Sequence, residues 1–301
     1  MKIIPIIAVI LLLGFWGGWD AVPEIRELRM LRMCTAFTVG ASLALSGTLF
    51  QAILRNPLAE PFILGISGGA SVGAALIFIT GLHAVGFLMV PMGAFTGAVL
   101  MLLCVLAISK NRNLLLSGVI AGTIANSLLM YLVSIAQTDE LAGLTWWTLG
   151  DLQAADTALL IPAGIFLAAA SAAVVFSARI LDALSLGDDQ AFYMGLSPRK
   201  LAAVFVSAGA LLAANTVALA GIIGFCGLVV PHTVRRLYGS SHRKMLLPTV
   251  LWGGAFLMFC DILSRLVSPA RELPIGVVTS FIGGPLFLIL LNYRRGGYAQ
   301  D

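Results

Sequence analysis

The chain has 301 residues, of which 59% are hydrophobic and only 11% charged. A soluble domain carries about 25% charged residues, so a water-facing globular surface is excluded. The net charge of +4 is small, and the basic residues sit in short loops between apolar blocks, a pattern of membrane topology and not of a nucleic-acid surface.

Many apolar blocks reach about 20 residues, the length of a bilayer-crossing helix. A membrane barrel would instead alternate in polarity over segments of about 10 residues, and no such segments occur. The reading is an all-α polytopic membrane bundle of about ten transmembrane helices, forming one domain over residues 1–301.

The N-terminal run "MKIIPIIAVILLLGFWGGWD" has Lys2 where a signal peptide has its basic region. No A-x-A site follows, and the run is long for a signal sequence, so it reads as an uncleaved first helix with its core at 3–19. Further cores fall at 33–50, 62–80, 86–108, 114–136, 157–177, 201–219, 222–237, 246–266 and 274–292. The weakest boundary is near Ala220 and Gly221, where one broken helix would change the parity.

With a cytoplasmic N-terminus, 13 of the 18 basic residues fall inside, and only Arg26, Arg29, Arg32, Arg265 and Arg271 fall outside. That bias follows the positive-inside rule and puts both termini in the cytoplasm. Asp139, Glu140, Asp151 and Asp156 share one outer loop, where Trp146 and Trp147 suit an interface belt.

Between the second and third spans the chain reads "SGTLFQAILRNPLAEPFILGISGGASVG". Asn56-Pro57 favours a turn, and Pro61 stops a helix from continuing through it. Gln51, Arg55 and Asn56 are costly at membrane depth unless they face protein or water. The stretch is either a plain polar turn or a re-entrant loop beside a pathway, since irregular backbone inside a bilayer must be buried in protein or line a cavity. The pairs Gly69/Gly73, Gly93/Gly97 and Gly118/Gly122 have helix-packing spacing.

Cys34, Cys104, Cys226 and Cys260 are scattered in apolar stretches and read as packing residues. His83, His232 and His242 do not cluster, so no metal or cofactor site is expected. Asp261 is the acid well inside a span, with Arg265 four residues on and on the same helix face. No Gly-Lys dipeptide occurs, so the chain has no phosphate-cradling P-loop.

The interrupted stretch resembles the signature of the membrane subunits of type II ABC importers, the FecCD-like permeases that take up iron–siderophores, haem and vitamin B12. The resemblance continues in "LLLSGVIAG", "LSLGDDQAFYMGL", "VALAGIIGFCGLVVPHTVRRLYGSSHRKMLLP", "DILSR" and "ELPIGVVTSFIGGPLFLILL", in the same order and over nearly the whole chain. It implies a homodimer of permease subunits in the bacterial inner membrane. Two ATP-binding cassette subunits would sit beneath it, and a periplasmic or lipid-anchored binding protein would deliver a metal chelate from above.

The resemblance also implies roles for particular residues. The cytoplasmic loop at about 178–200 would press into the ATPase through Leu186, Gly187, Asp188, Ala191, Met194 and Gly195. Arg29 and Arg32 would dock the binding protein, joined by Arg265 and Arg271, although intrachain pairing with Glu24, Glu27 or Glu272 competes. Asn56, Pro57 and Leu58 would form a cytoplasmic gate, and Thr145, Trp146 and Trp147 an outer gate region. The outer segment "DAVPEIRELRM" is shorter than in many relatives. The competing function is an ion-coupled secondary transporter acting without an ATPase, for which Asp261 would be the coupling acid.

Overall fold

The computed structural model describes residues 23–109, 114–153, 156–267 and 272–295. The span expected at 3–19 and the candidate Arg271 lie outside the described residues. In chain order come α1 (Pro23–Ile53), a 3-10 turn (Pro61–Leu64), α2 (Ile66–Ile79), a 3-10 turn (Leu82–Ala84), α3 (Met89–Ser109), α4 (Leu114–Ile135) and α5 (Thr138–Thr148). Then follow α6 (Thr157–Phe176), α7 (Ala178–Leu186), α8 (Asp188–Tyr193), α9 (Pro198–Ala220), α10 (Cys226–Tyr238), α11 (His242–Val267) and α12 (Ile275–Arg295).

Among the described residues, α1, α3, α4, α6, α9 and α11 are the 6 helices long and apolar enough to cross a bilayer. Helix length alone therefore does not return ten spans. Two expected spans are broken. That at 62–80 is split by Gly65, which adopts φ 73° between the Pro61 turn and α2. That at 222–237 becomes α10, whose 13 residues rise about 20 Å, against a hydrocarbon core of about 30 Å. Its missing first turns are the irregular stretch from Gly221 to Phe225.

Helix α1 is the hub. Its apolar window is 89% buried, against 22% for α4 and 17% for α6. Helices α6, α7, α9, α10 and α11 all pack on it. Close approach is permitted by paired glycines: Gly40 faces Gly253 of α11, and Gly47 faces Gly227 of α10. The same device joins α2 to α3, through Gly69 against Gly97 and Gly73 against Gly93. Without a hydrophobic drive between helices in lipid, association relies on such backbone proximity and dispersion.

A Cβ on Gly47 would run into the carbonyl of Gly227, whereas one on Gly164 of α6 would meet nothing. Gly47→Val should destabilise the detergent-solubilised protein by about 1–3 kcal/mol or more. Gly164→Val is the control. Equal thermal midpoints for the two variants would show that the α1–α10 contact does not hold the fold.

Candidate functional site

The polar interruption turns out to be re-entrant. After α1 ends, the chain turns at Arg55 and runs back along the helix. A Cβ on Gly227 would meet both the Pro61 ring and the Leu43 carbonyl, so Pro61 lies at the depth of Leu43 and Gly47 on α1. Gln51, Arg55, Asn56 and Glu60 each have a partner. Gln51, buried on α1, donates from Nε2 to the carbonyls of Gly227 and Leu228 at 3.4 Å each. Its Oε1 accepts from Arg235 of α10 at 3.3 Å. Asn56 closes an Asx turn, its Oδ1 accepting from the Leu58 amide at 2.9 Å. Glu60 accepts from the amide of Phe225 at 3.0 Å, at the start of α10. Arg55 pairs with Asp188 of α8.

The residues named for the cytoplasmic gate are thus held in one short turn, with Leu58 exposed and Asn56 and Pro57 half-buried. The wall opposite is the second break. Gly221 has φ 68° and ψ −158°, and Phe225 has φ 66°, left-handed for a non-glycine residue. Backbone bonds tie the break to its neighbours. The Asp151 amide donates to the Ala220 carbonyl at 2.9 Å, Ile275 to Gly150 at 3.2 Å and Gly276 to Leu149 at 3.1 Å. Beside this crossing lies a cavity of about 580 Å³, lined by Thr148, Leu149, Ile222, Gly224, Gly276 and Ser280 among others. Of the outer-gate candidates, Thr145 and Trp146 are exposed on α5. Trp147 is half-buried, and its carbonyl is packed so closely on Gly221 that a Cβ there would clash.

At the end of the molecule that carries Arg55, Gly187 and Gly195 bracket α8, with φ 139° and 78°. Asp188 and Asp189 open the helix, where its positive dipole end favours them. Leu186 is 60% exposed and Met194 59%. Ala191 is fully buried and anchors α8 to the core packed on α1, so within this chain it is not part of the exposed face. The reading from sequence missed Phe192 and Tyr193, both exposed there. It also missed Asp182 of α7, whose carboxylate accepts from the His242 amide at 2.8 Å and lies 2.6 Å from its Nδ1. That contact pins α7 to the start of α11.

The opposite end is closed by ion pairs. Arg32 donates from Nε to Asp261 at 2.7 Å and from Nη1 to Glu272 at 2.5 Å. Arg265 completes the cluster with Asp261 at 3.1 Å, at i,i+4. Gln153 donates to Glu272 at 2.8 Å. Of the docking candidates, Arg32 and Arg265 thus engage carboxylates of their own chain, and Arg29 is half-buried nearby. Burial alone would push the Glu272 carboxyl up, but the hydrogen bond and charge of Arg32 hold it below the ordinary range.

A further feature is the outward face of α4. Thr123, Asn126, Ser127 and Ser134 are exposed at helical three-, four- and seven-residue spacing. The hydroxyls bond back to carbonyls of their own helix, as in Thr123 to Val119 at 2.9 Å and Ser127 to Thr123 at 3.0 Å. A polar stripe on a spanning helix belongs against protein or water, not lipid. Its signal, polar residues at period 3.6 in an apolar block, was present in the sequence.

Asp261 is 1% exposed. Removing one partner of a buried ion pair costs about 3–5 kcal/mol, because the remaining charge keeps its desolvation penalty. Asp261→Asn should therefore lower the thermal midpoint in detergent well beyond Asp189→Asn at the exposed end. Equal midpoints would mean that Arg32 and Arg265 find water once Asp261 is gone.

Residues 6–293 match the FecCD transport family. The hemin transport system permease HmuU of Yersinia pestis is 35% identical over 269 residues, covering 86% of this chain and 80% of that protein. The cobalamin import system permease BtuC of Halobacterium salinarum is 37% identical over 268 residues, covering 86% and 70%. A solved inward-facing ABC transporter, assigned to the metal-chelate type, superposes with a TM-score of 0.90 at 26% identity, over 97% of this chain and 98% of its own. With its apolar helices and this match over nearly its whole length, the chain belongs to the FecCD transport family and is a multi-pass membrane permease.

Proposed function

We propose that the chain is the permease subunit of an ATP-driven importer that moves a metal chelate across the bacterial inner membrane. The substrate class is an iron(III)–siderophore, haem or cobalamin. The observation that carries this is the whole-chain superposition on an inward-facing transporter of the metal-chelate type. The sequence supplies the complement: it has no P-loop, so hydrolysis belongs to a partner chain. Asp261, the acid that an ion-coupled transporter would need, is occupied by Arg32 and Arg265.

The pathway runs between two copies of the chain. Its wall is the polar stripe of α4 together with the cavity between α5, the Gly221–Phe225 break and α12. Thr145, Trp146 and Trp147 border its outer mouth, and Asn56, Pro57 and Leu58 its cytoplasmic one. Leu186, Gly187, Asp188, Met194 and Gly195, joined by Phe192 and Tyr193, meet the ATPase subunit. The binding protein docks on the Arg29 end, where Arg32 and Arg265 are held from behind by carboxylates and Arg271 lies close by in the sequence.

Two measurements test this. In proteoliposomes, ferric hydroxamate, hemin and cyanocobalamin are offered to the chain alone and to the chain with its ATP-binding and binding-protein partners. Uptake of one of them is expected only with partners and ATP. Gradient-driven uptake by the chain alone would overturn the assignment. Second, Leu186→Asp with Met194→Asp should reduce co-purification of the ATPase subunit by more than about tenfold, since each places a charge where an apolar contact is buried. Undiminished co-purification would move the contact away from α8.

A further inference from the structure

The re-entrant segment is anchored at both ends, and the two anchors reach different elements. Arg55 lies in the turn that follows α1, and Glu60 lies directly before Pro61. Arg55 pairs with Asp188, the first residue of α8. Glu60 accepts the amide of Phe225, in the break that borders the cavity through Ile222 and Gly224. Between them the gate residues are stiffened by the Asx turn of Asn56 and by the Ala59 amide donating to the Asn56 carbonyl at 3.0 Å.

Each anchoring contact includes one residue with left-handed backbone, Arg55 itself at one end and the partner of Glu60 at the other. Arg55 has φ 48° and Phe225 φ 66°, the only described non-glycine residues with positive φ. Such conformations persist where the surroundings over-determine them. At Phe225 the surroundings include the Glu60 carboxylate. At Arg55 they include the start of α8. The Arg55–Asp188 pair is exposed on both sides, at 44% and 66%, and surface pairs of this kind contribute little to stability. A role in transmitting position accounts for a strained residue spent on a weak bond.

We propose that Arg55 and Glu60 are positioning residues that make the segment between α1 and the Pro61 turn a connecting strut. Displacement of α8 by the ATPase subunit is carried through Arg55 to the gate, and through Glu60 to the inner wall of the cavity. The inference rests on the importer reading in placing the ATPase subunit against α8.

The test uses the complete transporter, with ATPase and binding-protein partners, in lipid. The first readout is hydrogen exchange of backbone amides in 54–65 and 221–226, compared between ATP-loaded and ADP-loaded states, which needs no substrate. In the wild type both segments should change protection with nucleotide. Arg55→Asp should abolish the change in both, and Arg55→Asp with Asp188→Arg should restore it. Glu60→Ala should abolish it in 221–226 alone, and Glu60→Gln, which keeps an acceptor, should retain part of it. Where charge reversal prevents assembly, Arg55→Gln takes its place. The second readout is uptake of ferric hydroxamate, hemin or cyanocobalamin per ATP hydrolysed, expected to fall about tenfold in Arg55→Asp and to recover in the double variant. A nucleotide response that persists in Arg55→Asp, or that is missing in the wild type, overturns the strut. So does an uptake-to-hydrolysis ratio that Arg55→Asp leaves unchanged. Failure of the wild type to take up any of the three chelates counts against the substrate assignment alone, because the exchange readout still judges the strut.

Discussion

A bilayer offers no water to an unpaired amide, so irregular backbone at membrane depth must find its hydrogen bonds within the protein. Two breaks in this chain satisfy that demand by meeting each other. The break before α10 leaves the Phe225 amide at the start of a helix, and the carboxylate of Glu60 accepts it. Gln51 reaches the carbonyls of Gly227 and Leu228 one turn further along. The glycines at 47 and 227 let the backbones come close enough for this.

The two ends of the molecule are held by different kinds of contact. At the Arg32 end, two arginines and two carboxylates bind α1, α11 and the approach to α12 into one unit, with Asp261 almost wholly out of solvent. Charges withdrawn from water and paired in this way are costly to separate, and the end is correspondingly stiff. At the α8 end the ion pair is exposed, the helix is six residues long and its apolar residues face outward. Contacts there are cheap to remake. Asp182 holding the start of α11 is the fixed point from which α8 extends.

The polar groups on the outward face of α4 and at the cavity are hydroxyls and an amide, not formal charges. Thr123, Asn126, Ser127 and Ser134 on α4, and Thr148 and Ser280 at the cavity, offer weak hydrogen bonding without a fixed counter-charge. The back-bonded threonines and serines have already met their donor needs within the helix.

Much of this was legible in the residues. Block length and charge gave a polytopic helical protein, the glycine pairs marked real helix crossings, and Asp261 was correctly paired with Arg265. The polar interruption was visible too, but its residues had no partners on the page, because Gln51, Arg55 and Glu60 bond to residues more than 100 positions away. The expected span at 222–237 failed for a related reason: hydropathy does not register a break whose amides are satisfied from a distant loop. Ala191, which the resemblance placed at the ATPase contact, is buried against the core around α1 within this chain. Sequence by itself determined the solvent of this protein and the class of its architecture, because those follow from transfer free energies summed over local windows. Only the tertiary structure decided where the helices break and which polar group answers each break, because a hydrogen bond in lipid is settled by whichever part of the chain is near, not by what is next in sequence.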